Sequence, residues 1–160
     1  MWSTLIAVIG TLAGVALASA TQVWTERRTA RREQRQQVAA ATAQLLDAVI
    51  GYRELFWLRI AALRAGEPEE REERAAFYRA RSEITRARDR LALATADPAL
   101  IDASEAAAWS AIELSDIQLG TLVDGRFANA VEAALDAGRE RSRDAHTALR
   151  RAATEHVRRG

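Results

Sequence analysis

His146 and His156 are the side chains best suited to acid–base or metal chemistry near neutral pH. Ten positions apart on one helix, they would point about 80° from each other on the ~3.6-residue period. No Glu-x-x-His or His-x-x-x-His spacing joins them, and Asp144, two residues before His146, would face another way. Both histidines therefore read as surface or partly packed groups. The acidic run Glu67 to Glu73 lacks the turn and the alternating oxygen ligands of a calcium loop. It reads as a helix start, because carboxylates in a first turn complement the helix dipole. Gly120 and Gly125 are isolated and no strand precedes them, so no phosphate loop is predicted. Ser110 and Ser115 have no histidine at a supporting motif position. With no cysteine, neither a disulfide framework nor a thiolate metal site is possible. The chain is expected not to be an enzyme, and no cofactor, no metal and no small-molecule substrate is predicted.

The remaining polar chemistry is that of arginine. All 23 basic residues are arginine, yet the net charge is only +1. Near the carboxyl end Arg139, Arg141, Arg143, Arg150 and Arg151 alternate with Glu140, Asp144 and Glu155, and Arg158 and Arg159 form a small basic tail. This reads as a mixed, solvated face, so nucleic acid is not an expected partner. A nucleic-acid binder would need these arginines to form one face.

The elements that position these groups begin with a charge-free run from Met1 to Gln22. About 20 apolar residues at ~1.5 Å each cross the ~30 Å hydrocarbon layer once. Residues 1–24 are therefore predicted to be a transmembrane anchor. Trp2 and Trp24 bracket it at the two headgroup zones. Gly10, Gly14 and Ala18 fall on one face, where two helix backbones could approach closely, so a homo-oligomer is expected. Arg27, Arg28, Arg31, Arg32 and Arg35 follow at once and define a basic juxtamembrane helix, residues 25–36, in contact with membrane lipids. Arginines beside a span stay in the cytoplasm, which places the amino terminus outside and the rest inside. Ala18-Ser19-Ala20 has the look of a signal-peptide cleavage site, but the basic cluster follows the apolar run instead of preceding it.

Residues 37–160 read as a cytoplasmic helical bundle. A first apolar stripe, Val38, Thr42, Leu45, Val49, Tyr52, Phe56 and Leu63, ends at Gly66 and Pro68. Leu46, Ile50 and Trp57 widen it, which suits a bundle better than a two-stranded coiled coil. A second helix starts in Glu69–Glu73 and carries Phe77, Ala80, Ile84, Ala87, Leu91 and Ala94. Asp97-Pro98 reads as an N-cap followed by proline at the first helical position. The third helix is predicted from there to about Asp124-Gly125. The fourth, from about Phe127 to His156, has the stripe Phe127, Val131, Ala134, Leu135, Gly138, Ser142, Ala145, Leu149 and Ala152. Short connections favour up-down packing. The fold class is thus all-α: one transmembrane helix followed by an antiparallel bundle of about four long helices.

Four stretches carry a family likeness: Met1-Trp-Ser-Thr-Leu-Ile-Ala-Val-Ile-Gly-Thr-Leu-Ala-Gly14, Leu91-Ala-Leu-Ala-Thr-Ala-Asp-Pro-Ala-Leu100, Trp109-Ser-Ala-Ile-Glu-Leu-Ser-Asp116 and Asp144-Ala-His-Thr-Ala-Leu149. In these the chain resembles the KilB-type proteins of actinomycete conjugative plasmids. The resemblance implies a role in intermycelial plasmid spread, after a separate motor protein has moved the DNA. It implies a membrane assembly with other membrane or plasmid-transfer proteins as partners, and it supplies no active-site residues. The expected function is that of a non-enzymatic, membrane-anchored interaction protein. The alternatives are a membrane-tethered nucleic-acid binder and a membrane-perturbing protein that acts through its anchor.

Overall fold

A computed structural model describes the backbone of residues 2–159 and the side chains of residue 22 and residues 24–159. The chain is all-helical: α1 (Trp2–Ala65), α2 (Arg71–Ala94), α3 (Pro98–Ile112), a short 3-10 turn (Glu113–Asp116) and α4 (Asn129–Arg159). It divides into two compact units, Met1–Gln36 and Gln37–Gly160. Among the described residues no helix is long and apolar enough to cross a membrane. The predicted anchor, residues 1–24, falls almost wholly outside the described side chains. So do Trp2 and the packing residues Gly10, Gly14 and Ala18.

Each helix end has a local cause. Gly66, at φ +75°, closes α1. Its N–H donates to Leu63 O at 3.0 Å and the Glu67 N–H donates to Ala62 O at 3.0 Å, the paired bonds of a Schellman cap. Pro68 then prevents continuation. At the start of α2 the Glu70 N–H donates to Glu73 Oε2 at 3.3 Å, one arm of a capping box. Asp97 caps α3 by accepting from the Ala99 N–H at 3.1 Å, with Pro98 at the first helical position.

Four elements of the second unit share two apolar clusters. In the first, Val38, Leu45, Val49 and Tyr52 of α1 meet Ile84 and Leu91 of α2, Leu100 and Ile112 of α3, and Leu149 of α4. Small residues of α3, including Ala107, Ala108 and Ala111, are fully buried there, which lets helix backbones approach closely. The second cluster joins Phe56 and Ile60 of α1 to Leu114, Phe127 and Leu135. Ile60, which the apolar stripe read from the sequence does not include, fills the gap between Phe56 and Leu63 and is buried. Gly138 of α4 faces this second cluster: a Cβ there would lie 2.7 Å from Leu114 Cδ2, so the glycine makes room for Leu114. Leu45, Val49, Phe56, Ile84, Leu91 and Leu149 are buried, while Phe77 and Val131 are partly buried against the clusters.

The third helix ends earlier than the sequence predicts. It stops at Ile112 and tightens through the 3-10 turn, where Ser115 Oγ donates to Ile112 O at 2.7 Å. Beyond it Ile117, Leu119 and Leu122 pack onto the second cluster, and burying them there outweighs continuing the helix. Asp124-Gly125 forms a tight turn with φ of +51° and +73°. Val123 and Arg126 exchange backbone bonds of 2.9 and 3.0 Å across it. Asp-Gly is the dipeptide that tolerates two successive positive φ angles.

Candidate functional site

The fold brings together some of the polar residues singled out in the sequence. His156, near the end of α4, lies against the cap of α3. Its Nδ1 is 2.9 Å from Asp97 Oδ2, while Asp97 Oδ1 accepts from the Ala99 N–H. Arg159 approaches the same carboxylate at 4.0 Å. The His156 hydrogen bond, above all, holds the Asp97 carboxyl below its ordinary value, and the Ala99 and Leu100 N–H groups and Arg159 add to the effect against the opposing pull of burial. Sequence spacing could not reveal this pair, because 59 positions separate its members.

A group whose folded pKa is depressed contributes stability that is present above its unfolded value, about 3.9 for Asp. That contribution is lost as the pH falls through the lower folded value. Asp97→Asn keeps a competent cap and removes the charge. It is expected to lower the melting temperature at neutral pH, with a gap to the wild type that closes in acid. A gap that fails to narrow between about pH 5 and about pH 2 in thermal melts would contradict the assignment.

In the first unit Trp24 is 63% exposed and the Arg28 guanidinium carbon lies 5.3 Å from its ring centroid. Trp24, Arg27, Arg28, Arg31, Arg32 and Arg35 line an open concavity of about 510 Å³. Glu26 is occupied by Gln22, whose Nε2 donates to it at 3.0 Å. None of the five arginines forms an ion pair among the described residues. An exposed tryptophan beside arginines that form no ion pair among the described residues has the chemistry of groups that suit an anionic headgroup zone.

In the second unit a groove of about 280 Å³ between α1 and α2 is lined by Leu55, Leu58, Ala62, Ala76 and Phe77, among others. An Arg59–Glu69 ion pair of 2.8 Å closes one side. On the other flank of α1, Ile50, Arg53, Glu54, Trp57 and Leu58 line a wider concavity of about 600 Å³. Arg139 of α4 lies over Trp57 with 4.0 Å between its guanidinium carbon and the ring centroid. His146 is half-buried beside this region. Burial, then Arg53 and Arg150, push its imidazole below the ordinary value. Burial in the first cluster pushes the Tyr52 hydroxyl up from its ordinary value, against the opposing effect of nearby Ser115.

The class defined by this arrangement is a helical bundle that offers grooves and charged surfaces. The chain belongs to the KilB plasmid transfer protein family, whose model matches residues 39–157. The match covers the bundle and includes Leu91–Leu100, Trp109–Asp116 and Asp144–Leu149; the stretch Met1–Gly14 lies before it. No curated protein and no solved structure matches the chain.

Proposed function

We propose that this chain is a membrane-anchored, non-enzymatic interaction protein that takes part in intermycelial spread of a conjugative plasmid within a membrane assembly. Membership of the plasmid transfer family supports the biological setting. The observation that carries the anchoring is the charge-free run from Met1 to Gln22 with Arg27, Arg28, Arg31, Arg32 and Arg35 directly after it. A run of this length satisfies its own backbone as a helix in lipid, and the arginines fix its direction. Gly10, Gly14 and Ala18 give the anchor a flat face for a second copy. The bundle then faces the cytoplasm, and its surface grooves contact other membrane or transfer proteins.

The test is topological. A reporter active only in the cytoplasm, fused after Gly160, is expected to be active, and the chain should stay in the membrane fraction after alkaline carbonate washing. Activity of an exclusively extracellular reporter at that position would overturn the orientation. A carbonate-soluble full-length chain would overturn the anchor.

A further inference from the structure

We propose that the seam between α1 and α4 around Arg53 binds the phosphate backbone of a nucleic-acid strand. Arg139, Arg143, His146 and Arg150 recur at steps of four, three and four residues, which places them on one face of α4. Glu140 and Asp144 follow two of these arginines in sequence but sit about 100° round the helix. The face that reads as mixed along the chain is therefore basic along this line. From α1, Arg53 and Trp57 stand opposite.

The cations of this seam lack counterions. Neither Arg53, Arg139, Arg143 nor Arg150 forms an ion pair among the described residues. Arg53 Nε and His146 Nδ1 are buried without hydrogen-bond partners. Arg53 is lowered from its ordinary value by burial and then by the charges of Arg143 and Arg139. Like charges held together in a partly buried seam repel each other, and a bound anion removes that repulsion and supplies the missing acceptors. Glu54 is the one carboxylate among the residues lining the adjoining concavity.

The shape selects a strand. From Arg139 to Arg150 the row runs about 16 Å, at ~1.5 Å per residue, far longer than one phosphate. It matches about five stacked nucleotides at ~3.4 Å each. Arg139 lies over Trp57, and a guanidinium held on an aromatic ring offers its outer face to a base. Arg53 and His146 are half-buried while Arg143 and Arg150 are exposed, so the accessible charge follows a row along α4.

The full chain in uncharged detergent micelles, titrated against a fluorescently labelled single-stranded oligonucleotide, tests this by anisotropy over a range of salt. Binding should weaken with salt, with a log–log slope of about −0.7 for each phosphate neutralised. Arg143→Gln, at an exposed position, should weaken binding several-fold and reduce the slope by about 0.7. Arg53→Gln with Arg143→Gln should weaken it about tenfold or more, and Glu54→Gln should strengthen it. Arg27→Gln with Arg31→Gln, outside the seam, should leave most of the affinity. Circular dichroism melts of each variant verify the fold. The proposal is overturned if the wild type does not bind at low salt. It is also overturned if folded Arg143→Gln and the double seam variant bind as the wild type does, or if the loss follows Arg27 and Arg31 alone. Loss of binding to phosphatidylglycerol vesicles with oligonucleotide binding intact would make the seam a membrane contact and overturn it as well.

Discussion

Leu91→Ala and Leu149→Ala are each expected to destabilise the bundle by about 2–5 kcal/mol. Both side chains are 0% exposed and belong to the first cluster, one from α2 and one from α4. Truncation removes apolar contact and leaves a cavity that the surrounding helices can only partly close. The neighbours here include Ala87, Ala107, Ala108 and Ala111, whose short side chains cannot swing into the space. Collapse is thus limited, and the cost belongs toward the upper part of that range. Leu93→Ala is the matched control: Leu93 is 89% exposed on the same helix as Leu91, so its loss should change stability by no more than about 0.5 kcal/mol. Because Leu91 and Leu149 share a cluster, the double variant should depart from the sum of the singles by roughly 0.5–3 kcal/mol. Urea melts of the full chain in detergent, followed by circular dichroism, read all four. If Leu91→Ala and Leu149→Ala both melt with Leu93→Ala, the core assignment is wrong.

The helices were legible in the sequence where local chemistry sets them. Gly66 and Pro68 end α1, and Asp97-Pro98 starts α3, because each signal acts within a few residues. The inward stripes were legible too, since spacing of three and four residues follows from the helical period alone. The end of α3 was not. Leu114, Ile117, Leu119 and Leu122 look like a continued apolar pattern, but they pack on Phe56, Ile60 and Leu135, which are distant in sequence. Asp124-Gly125 suits a helix stop by local pattern, but Asp-Gly also marks a tight turn with positive φ angles, which is what it forms here. The same limit applies to the surfaces. The Asp97–His156 pair and the approach of Arg53 to the α4 arginines depend on which helices are neighbours, and no short-range spacing encodes that. The proposed anchor is read from the sequence alone, from its charge-free length and the arginines after it, and its proposed packing residues lie outside the described side chains.

Removing residues 2–24 is expected to have the largest effect of any change on function. Without the charge-free run the bundle retains its core but loses the segment proposed to hold it at the bilayer, and on that reading an assembly formed in the membrane would lack this member at its site. Residues 25–36 alone, with five arginines beside Glu26 and Glu33, cannot substitute, since each arginine adds only about 1 kcal/mol of attraction to an anionic leaflet. The most direct measurement is a mating assay in which a plasmid lacking this gene is complemented by the full chain, by the chain without residues 2–24, or by the bundle on an unrelated single-span anchor of the same orientation. Spread through the recipient mycelium should be restored by the full chain, at least partly by the anchor swap, and not at all by the anchorless chain. Full restoration of spread by the anchorless chain at equal protein level would contradict a membrane-anchored role in plasmid spread.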